Sequence, residues 1–538
     1  MFFTLSSRTC RKGKVTEMEM DAEDMERQTR GKPRTVLLLD PELDDQNTLI
    51  RYLLYSDQFE TEALIYQSSI FHWKGDGKGT LFQGESEHTR FGIGPIASWR
   101  WDEDTRFMED AVEIYAKVYP NLKAHSDDFP QPDVLMSRIL EGNVQFPGDI
   151  SQDSPGSERI KALLLDDKAG PLYLLSGAGL STIGRALKSI EEEFKQTEQW
   201  ENVYHRVSKK AIIQAFGDQD GVYPNYIAAN WPDIDFREMS TMLWGYMAHK
   251  EALPHDRQYL SAAWMRENVS SVGPFGAFYR VWGDGKIMHK NDITDFFGFA
   301  GLTAEQLTKL GYFVWLAHFG QELGEPGSWI SEGDTSIFMN LIDNGLDAHV
   351  NSSYGGWGGR NGKDIAPDGT VSRSYAAARW FGAAQRDFAA RMKWSVTPRY
   401  ADANHAPAMK LISPGQSTVR PGQTVTLTAR VKDPDGDHVV GRWWRYEEAD
   451  TYPGAVELTP LTVETKDDRS FVYPFAVPEP GSPDVDALIE SEKEVSCRFT
   501  VPHDAADGQT LHLICEASDN GTPSLTAYRR VVLTVVRA

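Results

Sequence analysis

The chain has 538 residues, of which 55 are Lys or Arg and 78 are Asp or Glu, so its formal net charge is −23. This negative charge disfavours nucleic acid and anionic membrane surfaces as partners, because both would repel the chain, and no run approaches the roughly 18 apolar residues of a membrane-spanning helix. The length predicts about three domains, and the hydrophobic fraction of 41% suffices for sizeable cores.

The N-terminal segment, residues 1–33, begins with a short apolar patch and then becomes densely charged. A secretory signal has basic residues ahead of an apolar run of about 7–15 residues, and this segment has neither in that order. We therefore expect a disordered leader without a clear signal peptide. The sequence leaves the localisation of the protein open.

Short apolar runs alternate with helical patterns over residues 34–397. The run TVLLL before Asp40 leads into one helical segment, and the run LYLLS that ends at Ser176 leads into another. Strands that alternate with helices of about 10–15 residues are typical of βαβ units. We predict an α/β domain over residues 34–397, with a mostly parallel sheet flanked by helices.

The pattern changes after the segment 397–407, and alternating β-runs separated by Pro, Gly and Asp turns follow. This pattern predicts an immunoglobulin-like β-sandwich over residues 398–538. Cys497 and Cys515 fall in neighbouring strand-like runs, where they either form a disulfide or remain buried free thiols. The turn-forming stretch DPDGDH at residues 433–438 has some features of a calcium loop, but its Gly is misplaced for an EF-hand.

Four acidic residues follow the first predicted strand within six positions: Asp40, Glu42, Asp44 and Asp45. In parallel α/β sheets, ligands bind outside the carboxyl ends of the strands. A helix start accounts for one such carboxylate as an N-cap, but four exceed what a cap needs. The cluster predicts a site for a hard cation such as Ca²⁺, which takes six to eight oxygen ligands.

The stretch LLLDPELDD resembles the opening motif of nucleoside hydrolases, Asp-x-Asp-Pro-Gly-x-Asp-Asp. Residues 172–187 resemble the strand, glycine loop and helix that supply a backbone carbonyl to the metal in that family. Residues 327–346 resemble the late helix start that supplies a last Asp ligand, and SSYGGWGGRNG at residues 352–362 resembles a motif of one branch. That branch is described as cellulose-binding and ends in a β-sandwich, so the resemblance covers nearly the whole chain after residue 33.

The resemblance implies a role for each matching residue. Asp40 aligns with the general base, Asp45 with a carboxylate that binds Ca²⁺ through both oxygens, and Asp44 with one that contacts water or a sugar hydroxyl. Ser176 would offer its carbonyl and Asp334 would complete the site. Two local alternatives stay open, because Ser176 also suits a tight turn and Asp334 also suits an N-cap.

Further residues are candidates for contacting the substrate, and each has a structural alternative as a loop, turn or core residue. A sugar face stacks on aromatic rings, carboxylates and amides bind hydroxyls, and an Arg supplies a rigid fork of donors. The candidates are Trp73, Asp218, Asp220, Asn230, Trp357 and Arg360. Trp443 and Trp444 of the predicted sandwich are candidates for a second sugar platform, although adjacent strand residues face opposite ways and at least one belongs to the core.

The chain departs from the nucleoside hydrolase motif at several positions. Leu38 replaces the first Asp and Glu42 replaces the Gly. Nucleoside hydrolases often carry His before the last Asp ligand, where it assists the departing base, but this chain has Gly333, with Glu332 one step earlier. These changes point to a saccharide or another glycoside as the substrate, with Glu332 as a candidate acid.

Three functions are compatible with these patterns. The first is a Ca²⁺-dependent hydrolase of a glycosidic bond, the second is a true N-ribohydrolase, and the third is a carbohydrate-binding protein with an inactive hydrolase-like domain. The expected partner is a saccharide or glycoside, with no nucleic acid and no membrane. A homo-oligomer is compatible with the resemblance.

Overall fold

The computed structural model describes residues 31–84, 89, 94–239, 241–290, 324–461 and 493–537. The chain from Pro33 onward forms one compact unit. No helix among the described residues is long and apolar enough to cross a membrane. The predicted leader lies outside the described residues except for residues 31–33, and the predicted domain boundaries stay predictions.

The first part of the chain forms a six-stranded parallel sheet, which confirms the predicted fold class. Its strands lie in the order β3-β2-β1-β4-β5-β6, and neighbouring strands pair in parallel throughout. The strands are β1 (Arg34–Leu39), β2 (Glu60–Tyr66), β3 (Ile139–Glu141), β4 (Leu172–Ser176), β5 (Ala211–Ala215) and β6 (Asp235–Glu238). A two-stranded hairpin follows later, with β7 (Asp364–Ile365) and β8 (Val371–Ser372).

Helices connect these strands and cover both faces of the sheet. The helices are α1 (Leu43–Leu54), α2 (Phe107–His125), α3 (Pro132–Met136), α4 (Pro155–Leu165), α5 (Ser181–Phe194), α6 (Trp200–Lys210), α7 (Ala228–Asn230), α8 (Ala248–Glu251), α9 (Ala262–Met265), α10 (Gly273–Phe278), α11 (Ser336–Met339), α12 (Tyr375–Ala378) and α13 (Phe381–Trp394). The 3₁₀ turn Gly333–Thr335 leads into α11.

The central strand β1 is buried on both faces of the sheet. All six of its residues are buried, as expected for a parallel strand with helices on both faces. Leu37 and Leu39 belong to the core cluster that includes α1, α2 and α13. Val36 and Leu38 belong to the cluster that includes α4, α5 and α6. The side chains of β1 therefore alternate between two hydrophobic layers.

The C-terminal part forms two four-stranded sheets around a separate hydrophobic cluster, and this confirms the predicted sandwich. The sheet orders are β10-β16-β15-β12 and β13-β14-β11-β9. The strands are β9 (Ala408–Leu411), β10 (Gln416–Val419), β11 (Thr424–Lys432), β12 (Val440–Arg445), β13 (Thr459–Pro460), β14 (Lys493–Thr500), β15 (Thr510–Ser518) and β16 (Thr526–Val535). Cys497 and Cys515 are free and buried in this part of the chain.

The sandwich packs tightly against the α/β part through aromatic rings. Trp380 contacts Trp444, Tyr446 and Tyr528, with ring centroids 5.4–5.8 Å apart. Trp443 lies against the sandwich core and donates its indole N–H to the carbonyl of Val495. Trp444 therefore packs against the α/β part and Trp443 against the sandwich core, and both residues are half-buried.

Candidate metal and active site

The acidic residues meet where the central strands of the sheet end. Asp40 directly follows β1, and His72 lies in the loop after β2. Asp44 and Asp45 occupy the first turn of α1, and Asp334 lies in the turn before α11. Glu42 is the N-cap residue of α1 but makes no side-chain capping hydrogen bond. The cluster therefore does more than start a helix.

Asp40 has an unusual environment for a buried carboxylate. The residue is 1% exposed, and neither carboxylate oxygen accepts a hydrogen bond from any described residue. The Nδ1 atom of His72 lies 3.3 Å from Asp40 Oδ1. The backbone N–H of Asp40 donates to Asp45 Oδ1 at 3.1 Å, which fixes the loop between β1 and α1. Buried carboxylate oxygens without donors are costly, so these two oxygens point to a missing ligand.

Asp44 is held from one side only. Its Oδ2 accepts hydrogen bonds from Ser331 Oγ at 2.9 Å and from the N–H of Gly333 at 3.3 Å, whereas its buried Oδ1 accepts none from a described residue. Burial raises the pKa of Asp44 to about 6, although the Ser331 hydrogen bond opposes this rise. A Cβ atom at position 333 would lie 2.5 Å from Asp44 Oδ2. This close approach explains why Gly333 stands where nucleoside hydrolases often have His.

Asp45 and Asp334 are both buried within the cluster. Burial raises the pKa of both carboxyls well above the usual range, and neighbouring carboxylates add to the rise. A Cβ atom at Gly177, after β4, would lie 2.6 Å from Asp334 Cγ, so the glycine loop packs directly on this carboxyl. Ser176 is buried beside this loop, and its carbonyl accepts the N–H of Phe216 at 2.9 Å. A metal ion would bind to the second lone pair of the Ser176 carbonyl oxygen.

Glu42 lies at the rim of the cluster, with its side chain 27% exposed. Its Oε1 accepts a hydrogen bond from Tyr246 Oη at 2.9 Å, and its Oε2 lies 3.7 Å from His72 Nδ1. Burial raises the pKa of Glu42 well above its usual range, and the charges of Asp44 and Asp40 raise it further. The replacement of glycine by Glu42 therefore adds a carboxylate that faces the site.

Two overlapping groups of side chains can each place their ligand atoms around one point. Asp40, Glu42 and His72 have ligand atoms within 4.8 Å of one another, and so do Glu42, Asp44 and Asp45. Oxygen donors predominate, which fits a hard cation such as Ca²⁺. The unpaired oxygens of Asp40 and Asp44 are where such an ion would bind. Without a cation, these carboxylates can be buried together only if several retain a proton.

Comparisons with known proteins agree with this fold. Residues 34–361 match the family described as cellulose-binding Sde182, nucleoside hydrolase-like domain, and residues 424–535 match the C-terminal domain of cellulose-binding protein Sde0182. The chain belongs to the Sde182 family. A comparison with curated proteins finds no match.

Among solved structures, a nucleoside hydrolase-related hypothetical protein from Saccharophagus degradans, described as associated with carbohydrate metabolism, has the same fold. It is 22% identical, with a TM-score of 0.62, and the match covers 94% of this chain and 100% of that chain. The adhesin SrpA from Streptococcus sanguinis matches 24% of this chain and 57% of its own, with 14% identity and a TM-score of 0.15. That score is too low to support an argument.

Glu332, the candidate acid, is engaged in a buried ion pair in this Sde182-family chain. Its carboxylate accepts hydrogen bonds from Arg51, from Tyr279 Oη at 2.5 Å and from Thr335 Oγ1 at 3.0 Å. Glu332 and Arg51 are both fully buried. These contacts make Glu332 the partner of the buried Arg51 guanidinium in the core of the α/β part.

The candidates on the loop after β5 hold the backbone together. Asp218 accepts the backbone N–H groups of Gly221 and Tyr223 at 2.9 and 3.1 Å. Asp220 Oδ2 accepts the N–H groups of residues 180 and 181 at the start of α5, both at 2.9 Å, and burial raises its pKa to about 7. Asn230 is half-buried and donates to the carbonyl of residue 226 at 2.8 Å. Their observed contacts are those of loop and cap residues.

The aromatic and Arg candidates are likewise placed in the interior. Trp73 is fully buried and packs on Phe82, and Trp357 is 2% exposed within the main core. Neither ring offers a face for a sugar to stack on in this structure. Arg360 pairs with Asp364 at 2.5 Å. The glycine-rich segment 352–362 contacts the sandwich, because Arg530 of β16 donates to the carbonyls of Tyr354 and Gly355 at 3.0 and 2.8 Å.

Two residues of the site were missed by the sequence reasoning. His72 directly precedes Trp73, which the sequence singled out, but His72 itself was not named. Its position in the loop after β2 was the signal in the sequence that could have identified His72, because parallel strands end at the same edge of a sheet. Tyr246 contacts Glu42 from a segment without a recognisable motif, so no signal in the sequence could have identified it.

Proposed function

We propose that this protein is a Ca²⁺-dependent hydrolase that cleaves a glycosidic bond in a saccharide or glycoside, with Asp40 as the general base. The observation that carries the proposal is the pair of buried Asp40 oxygens that accept no hydrogen bond from a described residue. A purely structural carboxylate at this depth would be paired. The membership in a nucleoside hydrolase-like family supports a hydrolytic role.

The residues that would hold the ion are Asp40, Asp44, Asp45 and Asp334, with the Ser176 carbonyl behind them. Bound Ca²⁺ would supply a positive charge that lowers the pKa of a water molecule and binds sugar hydroxyls. Asp40 would take the proton from the attacking water, and a proton on His72 Nδ1, 3.3 Å from Asp40 Oδ1, would orient that carboxylate. Asp44 is fixed by Ser331 and Gly333 and leaves one oxygen for a hydroxyl or water.

The close packing at Gly333 supports a glycoside rather than a nucleoside as the substrate. Gly333 has no side chain that could protonate a departing purine, and a Cβ atom at this position would lie 2.5 Å from Asp44 Oδ2. A departing sugar would need a proton donor at a position other than 333. The family description as cellulose-binding also favours a saccharide.

A panel of aryl glycosides, oligosaccharides and nucleosides tests the proposal, with the wild type and the variants Asp40→Asn and Asp218→Asn. We expect turnover of at least one glycoside and of no nucleoside. Removing the general base should lower kcat by about 10²–10⁴-fold, whereas Asp218→Asn, a loop-residue control, should retain activity. Turnover of nucleosides alone would indicate an N-ribohydrolase, and equal turnover by Asp40→Asn would contradict the role of Asp40.

A second function, saccharide binding without turnover, is favoured by the position of Glu332. Glu332, the predicted acid, forms a buried ion pair with Arg51, and this supports a site that binds a saccharide without donating a proton to a leaving group. In that case, calorimetry would detect saccharide binding that Asp40→Asn leaves unchanged, and no substrate in the panel would be cleaved.

A further inference from the structure

Basic side chains converge at the edge of the parallel sheet where its strands begin. Arg34 is the first residue of β1, and Arg138 and Lys210 directly precede β3 and β5. Arg159 belongs to α4, and Lys168 lies in the segment between α4 and β4. These five side chains form the basic cluster. Because the strands of the sheet are parallel, this edge lies opposite the edge that carries the acidic cluster.

Four members of the basic cluster surround one buried carboxylate, that of Glu62 in β2, whose side chain is 3% exposed. Its Oε1 lies 2.8 Å from Arg34 Nη2 and 2.9 Å from Lys168 Nζ. Its Oε2 lies 2.9 Å from Arg159 Nη2 and 3.5 Å from Arg138 Nη1. Burial raises the pKa of Glu62, but hydrogen bonds from Lys168 and Arg34 lower it below its usual value. Glu62 is therefore ionised, and four cations meet around it.

The carboxylates of the described residues do not balance these cations. Besides Glu62, the carboxylates that form ion pairs with the basic cluster are those of Asp166 and Glu60. Five cations therefore face three carboxylates in the described part of the chain, and two positive charges are in excess. An anion is repelled by the chain as a whole, whose net charge is −23, but it is attracted to this cluster.

Arg138 and Arg159 are the partly exposed guanidinium groups of the cluster, with side chains 33% and 31% exposed. Arg138 Nη1 and Arg159 Nη2 both donate to the carbonyl oxygen of Glu62 at 3.3 Å. The contacts with described residues use Arg138 Nη1 and Arg159 Nε and Nη2, so the other nitrogens of both groups can donate to a ligand. Burial lowers the pKa of Arg159, and the like charge of Arg138 adds to this fall. An anion between the two groups would relieve their repulsion.

We propose that Arg138 and Arg159 bind a tetrahedral oxyanion, a phosphate or sulfate group, at the sheet edge opposite the acidic cluster. Two planar guanidinium forks match the oxygens of such a group, and Lys168, with its side chain 52% exposed, adds a third positive charge. The anion neutralises charge that the described carboxylates leave in excess, and it links α4 to the segment before β3. The site does not depend on the hydrolytic function proposed above.

Calorimetric titration of inorganic phosphate, sulfate and glucose 6-phosphate into the full chain tests this site. EDTA is present throughout, so that no phosphate binds through a cation at the acidic cluster, and chloride keeps the ionic strength constant. The variants are Arg138→Gln and Arg159→Gln. Arg106→Gln is the matched control, because Arg106 is also a partly exposed arginine that pairs with carboxylates, but it lies before α2.

We expect the wild type to bind one phosphate per chain. Arg138→Gln and Arg159→Gln should each weaken this binding by about tenfold or more, because hydrogen bonds between charged groups are the strong ones, and Arg106→Gln should leave it unchanged. Tighter binding of glucose 6-phosphate than of phosphate would identify a phosphorylated metabolite as the ligand, and weaker binding would identify the free ion. Both of these results support the site.

Absence of binding by the wild type, or equal binding by the wild type and both variants, would overturn the proposal. If Arg159→Gln does not fold, Arg138→Gln decides, because Arg138 contacts Glu62 only at 3.3 and 3.5 Å and its loss removes no short ion pair. Equal affinity of Arg138→Gln and the wild type for phosphate would then overturn the proposal.

Discussion

Replacing Glu332 by Gln would remove the negative charge that neutralises Arg51 in the interior of the α/β part. Both side chains are fully buried, and Arg51 donates to Glu332 through Nε and Nη2. Arg51 Nη2 also donates to Gln385 Oε1 at 2.7 Å. The Gln side chain would keep the shape and the hydrogen bond from Tyr279, so the lost charge dominates the effect.

The expected cost follows from the burial of the guanidinium. Removing one partner of a buried ion pair typically costs about 3–5 kcal/mol, because the other charge stays buried without compensation. The guanidinium carbon of Arg51 lies 3.7 Å from the ring centroid of Phe388, but a cation–π contact contributes only about 0.5–2 kcal/mol and is present in both proteins. We therefore expect Glu332→Gln to lower the free energy of unfolding by about 3–5 kcal/mol.

Urea unfolding followed by tryptophan fluorescence would measure this loss, together with the activity of the folded variant. The double variant Arg51→Met with Glu332→Leu is the matched control, because replacing a buried ion pair by apolar side chains is often neutral or stabilising. It should recover most of the lost stability. If Glu332→Gln is as stable as the wild type but loses hydrolytic activity, Glu332 acts as a catalytic acid rather than as the structural partner of Arg51.

Three further predictions concern pH, the contact between the two parts and the thiols. In EDTA, the melting temperature should fall as the pH rises from about 4 to about 6, because the pKa of Asp44 is raised to about 6 in the folded protein and the stability that protonated Asp44 contributes is lost above that pKa. Saturating Ca²⁺ should abolish this fall. A difference in melting temperature between EDTA and Ca²⁺ that does not change with pH would contradict the linkage. Asp364→Asn should lower the free energy of unfolding in urea by about 3–5 kcal/mol, since two arginines and a tyrosine donate to this buried carboxylate. Asp368→Asn, on an exposed loop, should leave it unchanged. Equal effects of the two substitutions would refute the role of Asp364 in the contact between the two parts. Cys497 and Cys515 should react with a thiol reagent only after unfolding, because both are buried and burial raises the pKa of Cys497 to about 12. Rapid reaction of these thiols in the native protein would show that reagent reaches the sandwich core without unfolding.

The fold could be predicted because its local patterns are strong. The continuous apolar run of β1 indicated a strand buried on both faces, and the structure buries all six residues. The change to alternating β-runs after residue 407 likewise indicated the sandwich. The acidic cluster could be predicted to lie at the sheet edge, because Asp40 directly follows a strand and parallel strands end at the same edge.

The rest of the site depends on contacts between distant segments, which no local pattern encodes. Arg51 and Glu332 are separated by 281 positions, so the sequence could not show that the candidate acid is paired. Trp357 and Arg360 stand in a glycine-rich motif that suits a ligand loop and a packed turn equally well. Only the neighbouring sandwich distinguishes the two, because its Arg530 donates to the carbonyls of Tyr354 and Gly355 within this segment.

The metal site after β1 is tested most directly by calorimetric titration of Ca²⁺ into the wild type and into Asp45→Asn. We expect the wild type to bind one Ca²⁺ more than the variant. Binding should also release protons, because burial and neighbouring carboxylates raise the pKa of Asp45 and Asp334 well above the usual range and a cation displaces those protons. Equal stoichiometry and affinity in the two proteins would contradict the proposed metal site and the hydrolytic mechanism that depends on it.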